Sequence, residues 1–282
     1  MYLNQYVKNP MDGMYKISEL LLDKLLKENI IKGGRDYQKF IILGWYRTGS
    51  NFFAYSVNSH PHILCYSEIF FPRKIFWGSG IYGIDSNDEK MINYRNEHPE
   101  RFLNEYIFRN YSKRIKAVGF KIFYPQIENS IYRDLIKDLL NIQDLKIIHI
   151  KRRNYLNILV SHKIATKTGQ RLKVNKADNI NKSDFKLYLK PKECIKYFND
   201  LDGYINKYNS VFKNHEMISI YYDDLVRNYN INIKKIHDIL GVRDIVAHSL
   251  TQKQNQRNLS DIINNYDELK SYFRNSKWSV FF

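Results

Sequence analysis

The sequence predicts a single-domain α/β fold in which a central parallel β-sheet is flanked by helices on both faces. Five short runs are almost continuously apolar, which is typical of strands buried on both faces of a parallel sheet. Helix-length segments separate these runs, and such alternation indicates βαβ units. The predicted strands are KFIILG (39–44), HILCYS (62–67), KAVGFKIFY (116–124), LKIIHIKR (145–152) and MISIYYDD (217–224).

The segments around the strands complete one predicted domain over residues 1–282, with no internal repeat or low-complexity linker. An amphipathic pattern at 14–28 predicts a helix within an N-terminal extension over 1–37. Two polar excursions, 72–97 and 168–190, fit no regular element. Loops of this length are usually functional lids or disordered excursions, and we expect lids or acceptor-binding segments there. Further helices are predicted at 98–110, 126–141, 154–167, 192–212 and 231–240.

Composition limits the class of protein. Hydrophobic residues make up 44% of the 282 residues, as in globular chains. No apolar signal region and no run of about 20 apolar residues occurs, so we expect a cytoplasmic protein without stable membrane insertion. The 45 Lys and Arg residues against 29 Asp and Glu give a net charge of +16, which attracts polyanions; a solvated basic surface is the alternative. Cys65 and Cys194 lack metal-type spacing and are expected to be reduced core thiols.

The segment after the first strand has the pattern of a phosphate-binding loop. Gly44 and Gly49 have G-x-x-x-x-G spacing between a predicted strand and a predicted helix. Backbone N–H groups in such a turn, with the positive end of the helix, bind a phosphate. Ser50 and Asn51 replace the Lys-Ser/Thr pair that serves a triphosphate and Mg²⁺, and the cation lies inside the loop at Arg47. The sheet is therefore predicted to be P-loop-like; an ordinary glycine turn is the alternative.

Arg153 and Ser161 form a second candidate anion site. Arg153 follows the predicted fourth strand, and Ser161 lies eight residues later, about two turns along the next helix. A guanidinium and a hydroxyl in this arrangement would converge on one phosphate. Such pairs are common by chance, but this one follows a strand of the same predicted sheet as the loop. Two phosphate sites on one sheet edge are therefore predicted.

Taken in order, the motifs resemble those of the sulfotransferase superfamily, specifically its bacterial and carbohydrate-type branch. YRTGSNF (46–52) resembles the loop that binds the 5′-phosphosulfate of the donor 3′-phosphoadenosine 5′-phosphosulfate (PAPS), and RNYLNILVS (153–161) resembles the 3′-phosphate motif. Cytosolic small-molecule members carry Lys where this chain has Arg47, and the usual Gly before the acidic residue is Ser67 here. The further similar segments are NSHPHILCYSEIF (58–70), VGFKIFY (118–124), YYDDLVRN (221–228) and KQNQRNLSDIINNYDEL (253–269).

This resemblance implies both the chemistry and the residues that perform it. The expected reaction is in-line, metal-independent transfer of a sulfuryl group from PAPS to a hydroxyl or amine of a small-molecule or glycan acceptor, leaving 3′-phosphoadenosine 5′-phosphate (PAP). Glu68 is the implied general base, and Arg47 the implied cation on the leaving phosphate. Arg153 and Ser161 are implied to hold the 3′-phosphate. The other residues implied in donor binding are Thr48, Gly49, Ser50, Asn51, Phe52 and Lys253.

Several alternatives stay open. Glu68 would also serve as a surface carboxylate that pairs with a cation. His60 and His62 are rival bases, and we interpret His60 as a turn or capping residue. His149 is interpreted as a core histidine, and Lys121 as either a pairing residue or a contact of the sulfuryl oxygens. The alternative functions are a P-loop-like kinase, which the missing Gly-Lys-Ser/Thr run disfavours, and a basic nucleic-acid-binding protein. No RNA-binding or helix-turn-helix motif occurs, so no nucleic-acid partner is expected.

Overall fold

A five-stranded parallel sheet forms the centre of the computed structural model. All five predicted strands are present, and their bounds differ from the predicted ones by three residues at most. Apolar runs such as QKFIILG form strands because both faces of the sheet are covered. The strands are β1 (Gln38–Gly44), β2 (Ile63–Tyr66), β3 (Ala117–Phe123), β4 (Lys146–Lys151) and β5 (Met217–Tyr221).

The strand order is β2-β3-β1-β4-β5, so β1 lies in the middle. The chain leaves β1 towards one edge of the sheet and later returns to the other side of β1 with β4. Ligands of open parallel sheets bind beyond the carboxyl ends of the strands at such a point. Gly44, the last residue of β1, lies in register with Phe123 on one side and Ile150 on the other. The loop after β1 therefore lies where a ligand is expected.

The sheet has a hydrophobic core on each face, as the predicted fold class requires. Alternate residues of β1 belong to different cores: Ile41 and Leu43 face one, and Phe40 and Ile42 face the other. A third cluster joins the helix after β4 to the C-terminal residues, with Trp278 at its rim. The fold prediction is confirmed.

Helices occupy all five segments predicted after β2, although two of these segments are broken. The segment 98–110 forms a short α-helix followed by a π-helix, Leu103–Ile107. The segment 126–141 forms short pieces, because the helix at Tyr124 ends by Ile127 before a 3₁₀ turn, Ser130–Tyr132. The α-helices are α1 (Ser50–Val57), α2 (Glu89–Glu97), α3 (Pro99–Phe102), α4 (Tyr124–Ile127), α5 (Leu135–Asn141), α6 (Tyr155–Thr168), α7 (Pro191–Val211), α8 (Tyr222–Arg227), α9 (Tyr229–Ile239) and α10 (Tyr266–Phe273).

The excursion 72–97 contains a helix that the sequence analysis missed. α2 begins after Asp88, whose side chain accepts hydrogen bonds from the backbone N–H groups of Lys90 and Met91. Arg95 of this helix is fully buried, and its guanidinium donates to the carbonyls of Ile69 at 2.6 Å, Phe71 at 2.9 Å, Pro72 at 3.0 Å and Lys74 at 3.2 Å. The expectation of an irregular segment was wrong for 89–97, because a buried arginine anchors the helix to the chain after β2.

The structure describes residues 24–26, 28, 30, 32–78, 85–132, 134–168, 186–246 and 258–282. Most of the predicted helix at 14–28, the centres of both predicted lids and Lys253 lie outside these ranges. Within the described residues, no helix is long and apolar enough to cross a membrane.

Candidate active site

The loop between β1 and α1 has the backbone of an anion-binding turn. Arg47 and Gly49 both have left-handed backbone conformations, with φ of 64° and 82°. Gly49 caps the N-terminus of α1, where the first backbone N–H groups lack partners within the helix. Thr48 is buried and its hydroxyl donates to the carbonyl of Trp45 at 2.8 Å, while Ser50 is buried at the start of the helix. The loop is thus held in shape by its own side chains.

An aromatic side chain explains why position 49 is glycine. A Cβ on Gly49 would lie 2.0 Å from Cδ2 of Tyr222, the first residue of α8. Phe52 makes an edge-on contact with the same ring, at 6.3 Å between centroids, and a second one with Tyr229 at 5.8 Å. Phe52 is therefore part of the packing between the loop, α8 and α9.

A hydrogen bond joins the two predicted phosphate sites. Nε of Arg47 donates to Oγ of Ser161 at 3.0 Å. Arg47 lies in the loop and Ser161 lies on α6, so the bond connects two segments that are 114 residues apart in sequence. The structure thus brings Ser161 directly to the cation of the loop.

Arg153 is held by a different partner. Its two terminal nitrogens donate to the two carboxylate oxygens of Asp224, each at 2.7 Å, and its guanidinium lies 4.2 Å from the ring centroid of Tyr221. The hydrogen bonds that Arg153 donates to Asp224 raise the pKa of Arg153 and lower the pKa of the Asp224 carboxyl. The guanidinium therefore already forms the bidentate geometry in which it would hold a phosphate.

Glu68 lies two residues after β2, at the carboxyl edge of the sheet, and both of its oxygens have partners. Nζ of Lys121 is 3.1 Å from one oxygen, and the side-chain amide of Gln126 donates to the other at 3.3 Å. Gln126 is fixed in this orientation because its carbonyl accepts from the backbone N–H of Phe123. Lys121 is fully buried and also donates to Asn51 of α1. A short chain of contacts thus connects Glu68 to the loop.

The rival base His60 and the predicted core histidine His149 both have structural environments. Nδ1 of His60 accepts from the backbone N–H of His62 at 3.0 Å, and its Nε2 contacts the carbonyl of Arg243 at 2.9 Å. His60 precedes β2, so it lies at the opposite end of that strand from Glu68. His149 is fully buried in β4, where burial and the nearby Lys151 lower its pKa to about 3. Both residues match the interpretation as turn and core histidines.

The chain has clear relatives among curated proteins, although no family model matches it. It is 29% identical to Nodulation protein H of Rhizobium tropici over 255 residues, covering 87% of this chain and 93% of that protein. It is 27% identical to Nodulation protein H of Rhizobium meliloti (strain 1021) over 247 residues, covering 87% and 95%. This relationship agrees with the superfamily that the ordered motifs indicate.

These relatives support a sulfotransferase-type relationship for this chain.

Two solved structures are similar to this chain. A sulfotransferase from Alicyclobacillus acidocaldarius aligns with a TM-score of 0.45 and 16% identity, covering 83% of this chain and 90% of that one. Mouse sulfotransferase SULT7A1, solved in complex with PAP, aligns with a TM-score of 0.38 and 14% identity, covering 93% and 92%. The order and direction of the strands, and not these scores, define the fold.

Two cations at this edge, Lys151 and Arg152, were not singled out from the sequence. Three consecutive cations, Lys151 to Arg153, end β4 and begin the turn to α6. They line a cavity of about 300 Å³ together with Tyr221, Trp278 and Phe281. Arg152 contacts the loop itself, since its guanidinium donates to the carbonyl of Arg47 at 3.4 Å. The run of three cations is the signal in the sequence, but nothing in it says which of them reaches the loop.

Metal-ligating side chains are not clustered in the described ranges of the chain. Those residues contain no group of three or more His, Cys, Asp or Glu side chains arranged to hold an ion. Cys65 and Cys194 are both buried and free, and burial raises the pKa of each thiol to about 12.

Proposed function

We propose that this sulfotransferase uses PAPS as its donor and transfers the sulfuryl group to a hydroxyl or amine of a polar acceptor. The hydrogen bond from Arg47 to Ser161 carries this proposal. It makes the loop, which suits the 5′-phosphosulfate, continuous with the helix predicted to serve the 3′-phosphate. A ligand that carries phosphates at the 3′ and 5′ positions of one ribose fits such a pair of sites better than a single inorganic anion does.

Donor binding is assigned to the two segments separately. Thr48, Gly49, Ser50 and Asn51 would bind the 5′-phosphate through the loop and the N-terminus of α1. Ser161 and Arg153 would hold the 3′-phosphate, and Arg153 would exchange the carboxylate of Asp224 for the phosphate in the same bidentate geometry. Phe52 supports the loop by packing on Tyr222. We assign Lys253 to the 3′-phosphate as well.

The proposed chemical step needs a base and a cation. The acceptor oxygen or nitrogen attacks sulfur, the bond from sulfur to the phosphate oxygen breaks, and PAP leaves with that electron pair. Arg47 would stabilise the charge on the departing phosphate. Glu68 would take the proton of the acceptor, and Lys121 and Gln126 would hold its carboxylate in place meanwhile. Because Lys121 also donates to Asn51, the base and the donor loop are positioned by one side chain.

Calorimetric titration tests the donor and separates it from the alternative functions. We expect PAP to bind in the presence of EDTA, and Arg153→Ala to weaken PAP binding about 10-fold to 100-fold, as the loss of charge-assisted hydrogen bonds to a phosphate predicts. Binding of ATP with Mg²⁺ and not of PAP would favour the kinase instead. Tight, salt-dependent binding of an oligonucleotide without PAP binding would favour the nucleic-acid-binding protein.

We further propose a polar acceptor, such as a glycan, a lipo-oligosaccharide or a small natural product, and a reaction in the cytoplasm. The excess of cations at the sheet edge supports the polar acceptor, and the two free thiols are compatible with a reducing compartment. A screen of acceptors with labelled PAPS is the direct test. Label transfer to apolar phenols or steroids but not to glycans or other polar acceptors would contradict the proposed class.

A further inference from the structure

Arg152 is a half-buried cation without a counter-ion within 4.0 Å in the part of the chain that the structure describes. It forms no ion pair within 4.0 Å there, and its Nε is buried without a hydrogen-bond partner. Burial lowers its pKa, while Asp223 and Tyr222 act in the opposite direction. A charge in this position is costly unless another group compensates it.

The neighbouring cations have more partners than Arg152 has. Lys151 donates to Ser219 at 2.9 Å and to Asn209 at 3.2 Å. Arg153 is neutralised by both oxygens of Asp224. The nearby carboxylate of Asp223 accepts from the backbone N–H of Arg153 at 3.2 Å. In the described surroundings, Arg152 therefore keeps an unpaired Nε and has no carboxylate within 4.0 Å.

Arg152 also lies against the anion-binding loop. Its guanidinium donates to the carbonyl of Arg47 and lies 5.3 Å from the ring centroid of Tyr222, the ring that packs on Gly49. Loop, ring and guanidinium thus form one packed unit. An anion bound in the loop would supply the missing negative charge.

We infer that Arg152 neutralises the 5′-phosphate group held by the loop, while Arg153 serves the other end of the donor. This inference rests on the proposed function. It assigns the two adjacent arginines to two different phosphates, which a motif containing only Arg153 and Ser161 does not do.

Two nucleotides distinguish the two arginines by calorimetry. PAP has both phosphates, whereas adenosine 3′-phosphate has only one of them. Arg152→Met keeps most of the side-chain volume, and we expect it to weaken PAP about 10-fold to 100-fold but to change adenosine 3′-phosphate less than about 3-fold. Arg153→Met should weaken both nucleotides. Equal effects of Arg152→Met on both nucleotides, or no effect on PAP, would overturn the assignment.

The stability of the ligand-free protein distinguishes binding from a merely structural role. Removing a half-buried charge that has no direct ion-pair partner should leave the thermal midpoint of Arg152→Met unchanged or raise it. A lower midpoint together with weaker PAP binding would indicate that Arg152 supports the loop structurally, and would overturn the inference. Arg152→Lys keeps the charge but not the planar fork of donors. Its affinity for PAP should therefore lie between those of the wild-type protein and Arg152→Met.

Inorganic phosphate makes the inference testable even if the donor is not PAPS. Phosphate should raise the thermal midpoint of the wild-type protein and not that of Arg152→Met. Wild-type protein that responds to phosphate but not to PAP would refute the proposed donor and keep the anion site. Wild-type protein that does not respond to phosphate and binds PAP equally well with and without Arg152 would refute the anion site and keep the donor.

Discussion

Gly49→Ala tests whether the loop depends on the packing of Tyr222. The backbone of Gly49 has φ of 82°, which costs an L-residue about 1–2 kcal/mol. The new Cβ would also lie 2.0 Å from the ring, against an ordinary contact of 3.4 Å, so the ring must move by about 1.4 Å (3.4 − 2.0). Overpacking of this kind costs about 1–3 kcal/mol, and Ala regains about 0.5–1 kcal/mol through the unfolded chain. We expect a net loss of about 2–4 kcal/mol in the free energy of unfolding.

Two other glycines are matched controls for the separate terms. Gly241 also has a left-handed φ, of 65°, but a Cβ there meets nothing within 4 Å, so Gly241→Ala should cost about 1 kcal/mol or less. Gly203 is an exposed residue of α7 with free space for a Cβ, so Gly203→Ala should stabilise by about 0.5–1 kcal/mol.

Urea denaturation followed by circular dichroism measures these differences. In a Tyr222→Ala background, Gly49→Ala should cost no more than Gly241→Ala, because only the backbone term is left. Gly49→Ala should also weaken PAP binding, since the loop can no longer keep its shape. If Gly49→Ala and Gly241→Ala cost the same in the wild-type background, Tyr222 does not pack on the loop.

Three further predictions concern the base, the salt bridge and the core. Glu68→Gln should reduce turnover at least about 100-fold and leave the PAP affinity nearly unchanged. Glu216→Gln, which removes an exposed ion pair, is the control and should reduce neither turnover nor PAP affinity. Full turnover of Glu68→Gln would exclude Glu68 as the base. Asp224→Asn should change stability little because the pair is exposed, and should leave PAP binding equally tight or tighter because it releases Arg153; weaker binding would contradict the exchange of carboxylate for phosphate. Because burial lowers the pKa of His149 to about 3, the unfolded chain takes up a proton below pH 6.5 that the folded chain does not. This residue should therefore reduce the free energy of unfolding by up to about 1.4 kcal/mol per pH unit between pH 6.5 and 3; an imidazole NMR resonance that titrates near pH 6 would refute it.

The strands were predictable because a strand that is buried on both faces has an almost wholly apolar sequence. QKFIILG is almost wholly apolar and is central in the sheet, so its hydrophobicity alone specifies the element. The loop was predictable for a similar reason, since Gly49 and the strand before it form a short-range pattern. The split of 126–141 and the helix at 89–97 were missed because few residues of these segments are buried. The buried residue of the helix at 89–97 is Arg95, which adds nothing to an apolar pattern.

Partners of the charged side chains were not predictable, because they come from distant parts of the chain. Arg153 pairs with Asp224, 71 residues later, and Lys121 connects Glu68 to Asn51 across two strands. No spacing rule links such residues. Their distances follow only from the order in which the strands enter the sheet.

The residues alone therefore specify the class of fold and the glycine turn after β1, and they indicate the related superfamily, because each depends on short runs of neighbouring residues. The geometry of the site depends on the packed fold. Parallel strands bring the ends of β1, β2, β4 and β5 to one edge, where Ser161 contacts Arg47 and Arg153 is held by Asp224. Arg152 and Arg153 are adjacent in the sequence, but the fold gives them different partners, the carbonyl of Arg47 and the carboxylate of Asp224.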